Sequence, residues 1–278
     1  MRQSVQQLAE FYTSPLGLAC RRIISSKIGE VWGDAAGLDV LALGYATPFL
    51  EAVNKRARRV VAIMPAAQGV QVWPDRSPNR SALAAESGLP LPGALFDRIL
   101  AAHALEESDN LSGALQEITR VLAPSGRVIL AVTARHGLWA GSEATPFGQG
   151  RPFSRAQLEE RVREAGLEPA GWTRALYLPP AAWAAPWAEA FEQVGARLWP
   201  PFAGVTLMEA AKHSFAVRPT GYGARQRIRA RPSFQPAPIG GKIAKAFFPL
   251  LWWVLLYQAS TGIRRHETDY RDHQTQPP

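Results

Sequence analysis

The 278-residue chain is 47% hydrophobic, enough for one domain with additions or two small ones, and its single cysteine, Cys20, excludes an internal disulfide and fits a reducing compartment. The net charge of +8 sits at one end: residues 1–211 hold 20 Lys+Arg against 20 Asp+Glu, and residues 212–278 hold 11 against 3. That split argues against a nucleic-acid-binding face on the main body and directs any anionic partner to the C-terminal tail.

The opening residues, Met1 to Gln7, lack the apolar core of a signal peptide. Ser4 to about Glu30 reads as helical, with Val5, Leu8, Phe11 and Tyr12 on one face, a break at Ser14-Pro15, and Ile23, Ile24 and Ile28 beyond it. Leu38–Leu43 is an apolar strand ending at Gly44. Thr47–Lys55 is expected to form a helix with Pro48 in its first turn. Arg59–Met64 is a second strand, stopped by Pro65, and Gln71–Trp73 a weak third; Arg80–Ser87 reads as a turn or short helix.

Phe96–Ala101 is a strand, and Asn110–Leu122 an amphipathic helix with Leu111, Leu115, Ile118 and Leu122 at helical spacing. Pro124-Ser125-Gly126 is a turn before the strand Arg127–Thr133. A Gly/Pro-rich loop leads to Ser154, which caps a helix from Arg155 to Ala165 closed by Gly166. Leu167–Tyr177 reads as strand, Pro186–Leu198 as helix, and Gly204–Val217 as a last strand-containing segment. Strands alternating with helices imply a mostly parallel sheet flanked by helices. The expected division is a helical segment over 1–30, an α/β domain over 31–217 and a basic linker with an apolar helix over 218–278. Five scattered histidines and one cysteine give no metal-ligand spacing.

Two segments carry the chemistry. Leu-Pro-Leu-Pro-Gly-Ala-Leu-Phe-Asp-Arg-Ile-Leu-Ala-Ala-His-Ala-Leu-Glu begins at Leu89, and Glu-Ile-Thr-Arg-Val-Leu-Ala-Pro-Ser-Gly-Arg-Val-Ile-Leu ends at Leu130. Together they resemble the second half of the core of class I, Rossmann-like methyltransferases of the type 11 group. The resemblance spans roughly residues 36–177 and implies S-adenosylmethionine (SAM) as cofactor, bound at the carboxyl edge of the sheet.

Carried onto this chain, the resemblance assigns the cofactor loop to Gly44, Tyr45, Ala46 and Thr47. Gly44 and Thr47 match the family pattern; Ala42 replaces its acid, Ala46 its second glycine and Pro48 its third. Asp39 reads as a strand-start or surface carboxylate rather than a surrogate. The ribose-binding acid falls at Met64-Pro65, where neither residue is acidic; Gln68 offers a neutral acceptor about 1 kcal/mol weaker. Glu86, ahead of Leu89, stands for the adenine-edge group or is a solvated loop glutamate, and Leu89 is assigned to the cofactor with it. His103 either packs on the adenine or serves as a general base, and is the candidate catalytic residue. Asp97, Glu117 and Arg120 match the family with structural roles. Tyr12 and Phe11 are read as a lid or as core, and Trp139, Glu143, Phe147 and Arg151 as pocket wall or core cover.

In the tail, Arg218, Arg225, Arg227, Arg229 and Arg231 precede the apolar run Ala246–Tyr257. As a helix that run reaches roughly 18 Å, short of the ~30 Å hydrocarbon core. Its readings are an anionic membrane surface, docking on the protein itself or a partner, and, least favoured, nucleic acid. The expectation is a cytoplasmic, bacterial, SAM-dependent methyltransferase on an unidentified small-molecule or protein acceptor, peripheral to the inner membrane where the tail reads as a membrane anchor. The competing expectation is a non-catalytic scaffold of the same fold that docks through its tail.

Overall fold

The computed structural model describes residues 2–212 of the chain. Helix α1 (Val5–Thr13) carries a capping box made by Ser4 and Gln7, and α2 (Pro15–Trp32) starts from the Ser14 cap with Pro15 in its first turn. The strands are β1 (Asp39–Gly44), β2 (Arg59–Pro65), β3 (Ser81–Ala84), β4 (Phe96–Ala102), β5 (Leu122–Thr133), β6 (Leu167–Ala175) and β7 (Val205–Lys212). They form one sheet in the order β3-β2-β1-β4-β5-β7-β6. The first five run parallel, and β7 lies antiparallel to both of its neighbours.

Alternate strand residues feed two cores, as the two-residue period of a strand demands. Leu41, Leu43, Ile99 and Leu130 face α4 (Leu111–Val121) and α5 (Arg155–Glu164), which contribute Leu115, Ile118, Leu158 and Val162. Val40, Ala42, Leu100 and Ile129 face α1, α2 and α6 (Ala188–Leu198). Asn110, read from the sequence as the first helical residue, caps α4 by accepting from Gly113 N at 2.9 Å, and α5 begins after the expected Ser154 cap, which forms a reciprocal capping box with Gln157.

Four expectations change. Thr47–Lys55 is not one helix but a 3-10 turn (Thr47–Phe49) and the single-turn α3 (Glu51–Asn54), none of whose residues is buried. The stretch Glu51-Ala52-Val53-Asn54-Lys55-Arg56 has no apolar stripe to dock, so nothing extends the helix. Gln71–Trp73 is not a strand; the third strand is Ser81–Ala84, which had read as a turn or short helix. A parallel neighbour of β2 needs a crossover of a dozen or more residues, and only the later segment allows one. Pro124–Gly126 lies inside β5, where the pairing jumps from Phe96↔Leu122 to Arg98↔Arg127 and Ser125 takes a φ of 64°. The helix expected from Pro186 splits into a 3-10 turn (Ala182–Trp187) and α6. Residues 213–217 and the whole tail lie outside the described residues, and with them the tail helix and its partners.

Candidate functional site

The site is built where β1, β2 and β4 end. Gly44 has a φ of 75°, and a Cβ there would collide with Ala102 O and come within 2.8 Å of Ala104 Cβ and 3.0 Å of His103 O. A glycine is therefore what lets the loop after β1 press against the loop after β4, and Tyr45 N donates to Ala102 O at 2.9 Å to lock them together. Ala46 and Thr47 follow, both buried. Met64 and Pro65 close β2 and are also buried.

Three residues past Pro65, the chain turns back and buries Gln68 to 2% exposure. Its Nε2 donates to His103 O at 3.4 Å, and its Oε1 has no partner. His103 adopts a φ of 49° and is enclosed by aromatic rings. Phe147 lies 4.9 Å away, centroid to centroid, and Tyr12 5.7 Å away. Burial pushes the His103 pKa down to about 4, so the imidazole is neutral and its Nε2 accepts the Tyr12 hydroxyl proton at 2.6 Å. Burial also holds the Tyr12 phenol protonated, consistent with its acting as the donor. Tyr12 stacks on Tyr45 at 5.9 Å, and Tyr45 in turn donates to Gln71 Oε1 at 3.1 Å.

The N-terminal segment reaches across this edge at several points. Arg2 donates to Glu86 Oε1 at 2.8 Å and to Ala104 O at 2.6 Å. Gln3 N donates to Glu107 Oε2 at 2.9 Å, and Val5 N to Gln68 O at 2.7 Å. Glu86 is thus a buried, paired carboxylate rather than a solvated one. Behind it, Glu106 accepts from Thr133 N at 3.0 Å through Oε1, while its Oε2 is buried without a partner. Burial raises the Glu106 pKa to about 7.

The structure therefore gathers Gly44, Tyr45, Ala46, Thr47, Met64, Pro65, Glu86 and His103 around one edge. Leu89 is different. Its amide donates to Glu117 Oε2 at 2.7 Å, its carbonyl accepts from Arg120 at 2.9 Å, and its side chain packs with α4. Asp39 lies at the opposite end of β1, clamped by Arg58 and Arg59, which hold its carboxyl down at about 2. Trp139 and Phe147 form a buried wall, with the Trp139 indole donating to Leu178 O at 2.8 Å; Glu143 and Arg151 are exposed. Arg2 joins the site with no motif to announce it. Glu106 was visible only as the last residue of the family-like segment that runs through His103, four residues past the end of β4.

The site can hold SAM by its own donor set. Gln68 Oε1, Glu106 Oε2, Ser108 Oγ and Arg2 Nε, all on the segments that meet at this edge, are buried polar atoms without partners. Such atoms cost stability unless a ligand or water satisfies them. A diol and an ammonium group supply the donors that two lone acceptors need. Among the described residues, no group of three His, Cys, Asp or Glu could hold a metal ion, and no helix is long and apolar enough to cross a membrane.

Residues 38–130 match the family model described as a methyltransferase domain. The fold is shared with a structure from Haloferax volcanii, a complex between the Trm112 methyltransferase activator and a putative methyltransferase (20% identity, 74% of this chain, 97% of that one, TM-score 0.52). It is also shared with a SAM-dependent methyltransferase of Thermotoga maritima described as a possible histamine N-methyltransferase (17% identity, 75% and 96% covered, TM-score 0.50). No curated protein matches the chain.

Proposed function

Residues 38–130 make this chain a class I methyltransferase of the type 11 group that uses SAM on an unidentified acceptor, and from that premise we propose how its residues share the work. When bound, SAM supplies an electrophilic methyl group, so the protein's main task is to align a nucleophile with it. Gly44, Tyr45, Ala46 and Thr47 approach the methionine part through their backbone. Gln68 Oε1 takes the ribose hydroxyl that an acid after β2 would otherwise accept. Glu86 takes the adenine edge once Arg2 leaves it.

The observation that carries this reading is the pair of buried, unpartnered acceptors, Gln68 Oε1 and Glu106 Oε2. Glu106 has the better-matched proton affinity for drawing a proton from an acceptor near neutral pH, since its pKa lies near 7 and that of His103 near 4. His103, neutral and with Nε2 as an acceptor, orients a hydroxyl or amine in the place now held by the Tyr12 hydroxyl.

The described conformer is closed. Tyr12, Val5 and Arg2 bond to His103, Gln68 and Glu86, so cofactor entry requires the segment from Arg2 to Ser14 to lift. If only a fraction of molecules is open, the apparent dissociation constant rises by the inverse of that fraction. Calorimetric titration of the folded chain with SAM and with S-adenosylhomocysteine tests the reading: saturable binding supports it, and a flat trace at about millimolar ligand rejects it.

The protein is placed, by the same proposal, in a bacterial cytoplasm, with the basic residues beyond Lys212 drawn to an anionic membrane surface. Sedimentation with anionic liposomes, compared with zwitterionic ones, checks this. Equal recovery in both pellets removes the membrane from the account.

A further inference from the structure

The short connection after β1 leaves a groove on the α2 side of the sheet. Although Arg21 of α2 pairs with Glu51, α3 has only four residues, and a cavity of about 970 Å³ lies along α2 and the 47–56 segment, ending at Ala185 and Pro186. None of the cofactor-site residues except the loop's neighbours Pro48 and Phe49 reaches it. Its walls are mostly apolar, with Leu18, Ile28, Phe49, Val53 and Pro186 among them. Leu18 is 44% exposed, and Trp187, directly after Pro186, is 59% exposed.

The charged residues of the lining are Arg21, Arg22, Lys55 and Arg56 against one acid, Glu51. Glu51 is already paired with Arg21, and Arg56 pairs with Asp34 at 3.0 Å. Arg22 meets Glu189 only at 3.6 Å, with both side chains largely exposed. Lys55 has no ion pair among the described residues. An apolar groove with a few convergent charges of one sign suits a ligand that is mostly hydrocarbon with one anionic end. A small hydrophilic anion would leave the walls unused. The chain's own apolar run 246–257 is flanked by Lys242, Lys245, Arg264 and Arg265, the same sign as the rim.

We propose that this groove binds the acyl chain of a fatty-acid-like anionic amphiphile, with its carboxylate among Arg21, Arg22, Lys55 and Arg56. The groove lies apart from the cofactor edge and meets it only through Pro48 and through Phe49, which packs on Tyr12.

Gly29 gives a clean way to test it. Gly29 lines the groove, lies inside α2, and a Cβ there would meet nothing within 4 Å. Gly29→Trp has room for its Cβ and projects an indole from a groove-lining position, and replacing an exposed helical glycine does not lower helix propensity. The full-length protein is titrated by calorimetry with octanoate, decanoate and laurate, each below its aggregation concentration, and with dodecyltrimethylammonium. Binding of the carboxylates should tighten about 15-fold for each two methylenes. Gly29→Trp should lose laurate by at least about 10-fold while melting like the wild type, and Lys55→Glu by about 5-fold. The cationic amphiphile should not bind. Affinity that ignores chain length, laurate binding unchanged in Gly29→Trp, equal binding of both head-group charges, or no binding at all because the chain's own apolar segment fills the groove would each overturn the proposal.

Discussion

The two faces of the sheet are built in different ways. On one, α4 and α5 are capped, amphipathic helices that close the crossovers around β5 as their apolar spacing requires. On the other, the connection after β1 holds a single helical turn with nothing buried, and residues 66–80 before β3 contain no helix. The N-terminal segment compensates for both. Helix α2 supplies Ala19, Ile23, Ile24 and Ile28 to the core, and α1 with Arg2 bonds to the carboxyl edge. The same face that has lost the usual carboxylates after β1 and β2 has gained a strap over them. The carboxyl half is thus scaffold, while the amino half is scaffold and gate together.

Truncating the scaffold should have the largest effect. Phe96 is fully buried among Leu122, Val121 and Ile118 in the α4 core. Phe96→Ala should cost about 4 kcal/mol and lower the melting temperature of the whole domain in one transition. A variant that melts near the wild type would mean that the two halves do not fold together.

Next comes the buried carboxyl behind the gate. Below the ordinary carboxyl pKa of 4.5, Glu106 is protonated whether the chain is folded or not; above it the unfolded chain ionises while the folded one resists until about 7. Stability from this group is therefore full at low pH and is lost as pH rises through 7, by about 3 kcal/mol in total. His103 works in the opposite sense, since its pKa is pushed down to about 4 and acidification below 6.5 favours the unfolded chain. Glu106→Gln removes only the first slope. From about pH 4 to about pH 8, denaturant titrations should show the variant gaining about 3 kcal/mol on the wild type. A constant difference across that range would refute the buried-acid assignment.

How far the sequence reveals this division follows from the physics of each part. Elements set by local pattern were legible: the apolar spacing of α4, the Ser154 cap of α5, the apolar runs of β1 and β4. The third strand was not, because Ser81-Ala82-Leu83-Ala84 has no β-branched residue and is a strand only by pairing with Ala62–Pro65. The cofactor loop was readable as a motif, yet its closeness to His103 depends on a backbone approach at Gly44 that no spacing encodes. Arg2 was invisible for a plainer reason: its partner Glu86 lies 84 positions away, and only the fold brings them together.

Loosening the gate should separate it from the scaffold. Arg2→Ala removes charge-assisted bonds to Glu86 and Ala104 O that hold the segment shut. Its expected signature is a melting temperature lower by only about 3–6 °C with SAM affinity about 10-fold tighter by calorimetry, because bonds to charged groups contribute about 1.5–3 kcal/mol. Weaker SAM binding would instead make Arg2 part of the binding surface.

The smallest change is the most diagnostic. Tyr12→Phe keeps the ring stacked on Tyr45 and packed against Phe49 but deletes the hydroxyl that donates to His103 Nε2 at 2.6 Å. The neutral imidazole then loses its donor in a buried place, and the closed state weakens by about 1 kcal/mol. Through the open fraction that becomes about a 5-fold gain in apparent SAM affinity, with faster hydrogen exchange across residues 5–13. The pKa of His103 should stay low, since burial and not Tyr12 depresses it. Nuclear magnetic resonance titration of the ring protons follows that directly. A His103 pKa that climbs toward 6.5 in Tyr12→Phe would show that the strap no longer covers the imidazole even without ligand, and that the hydroxyl alone had kept the gate shut.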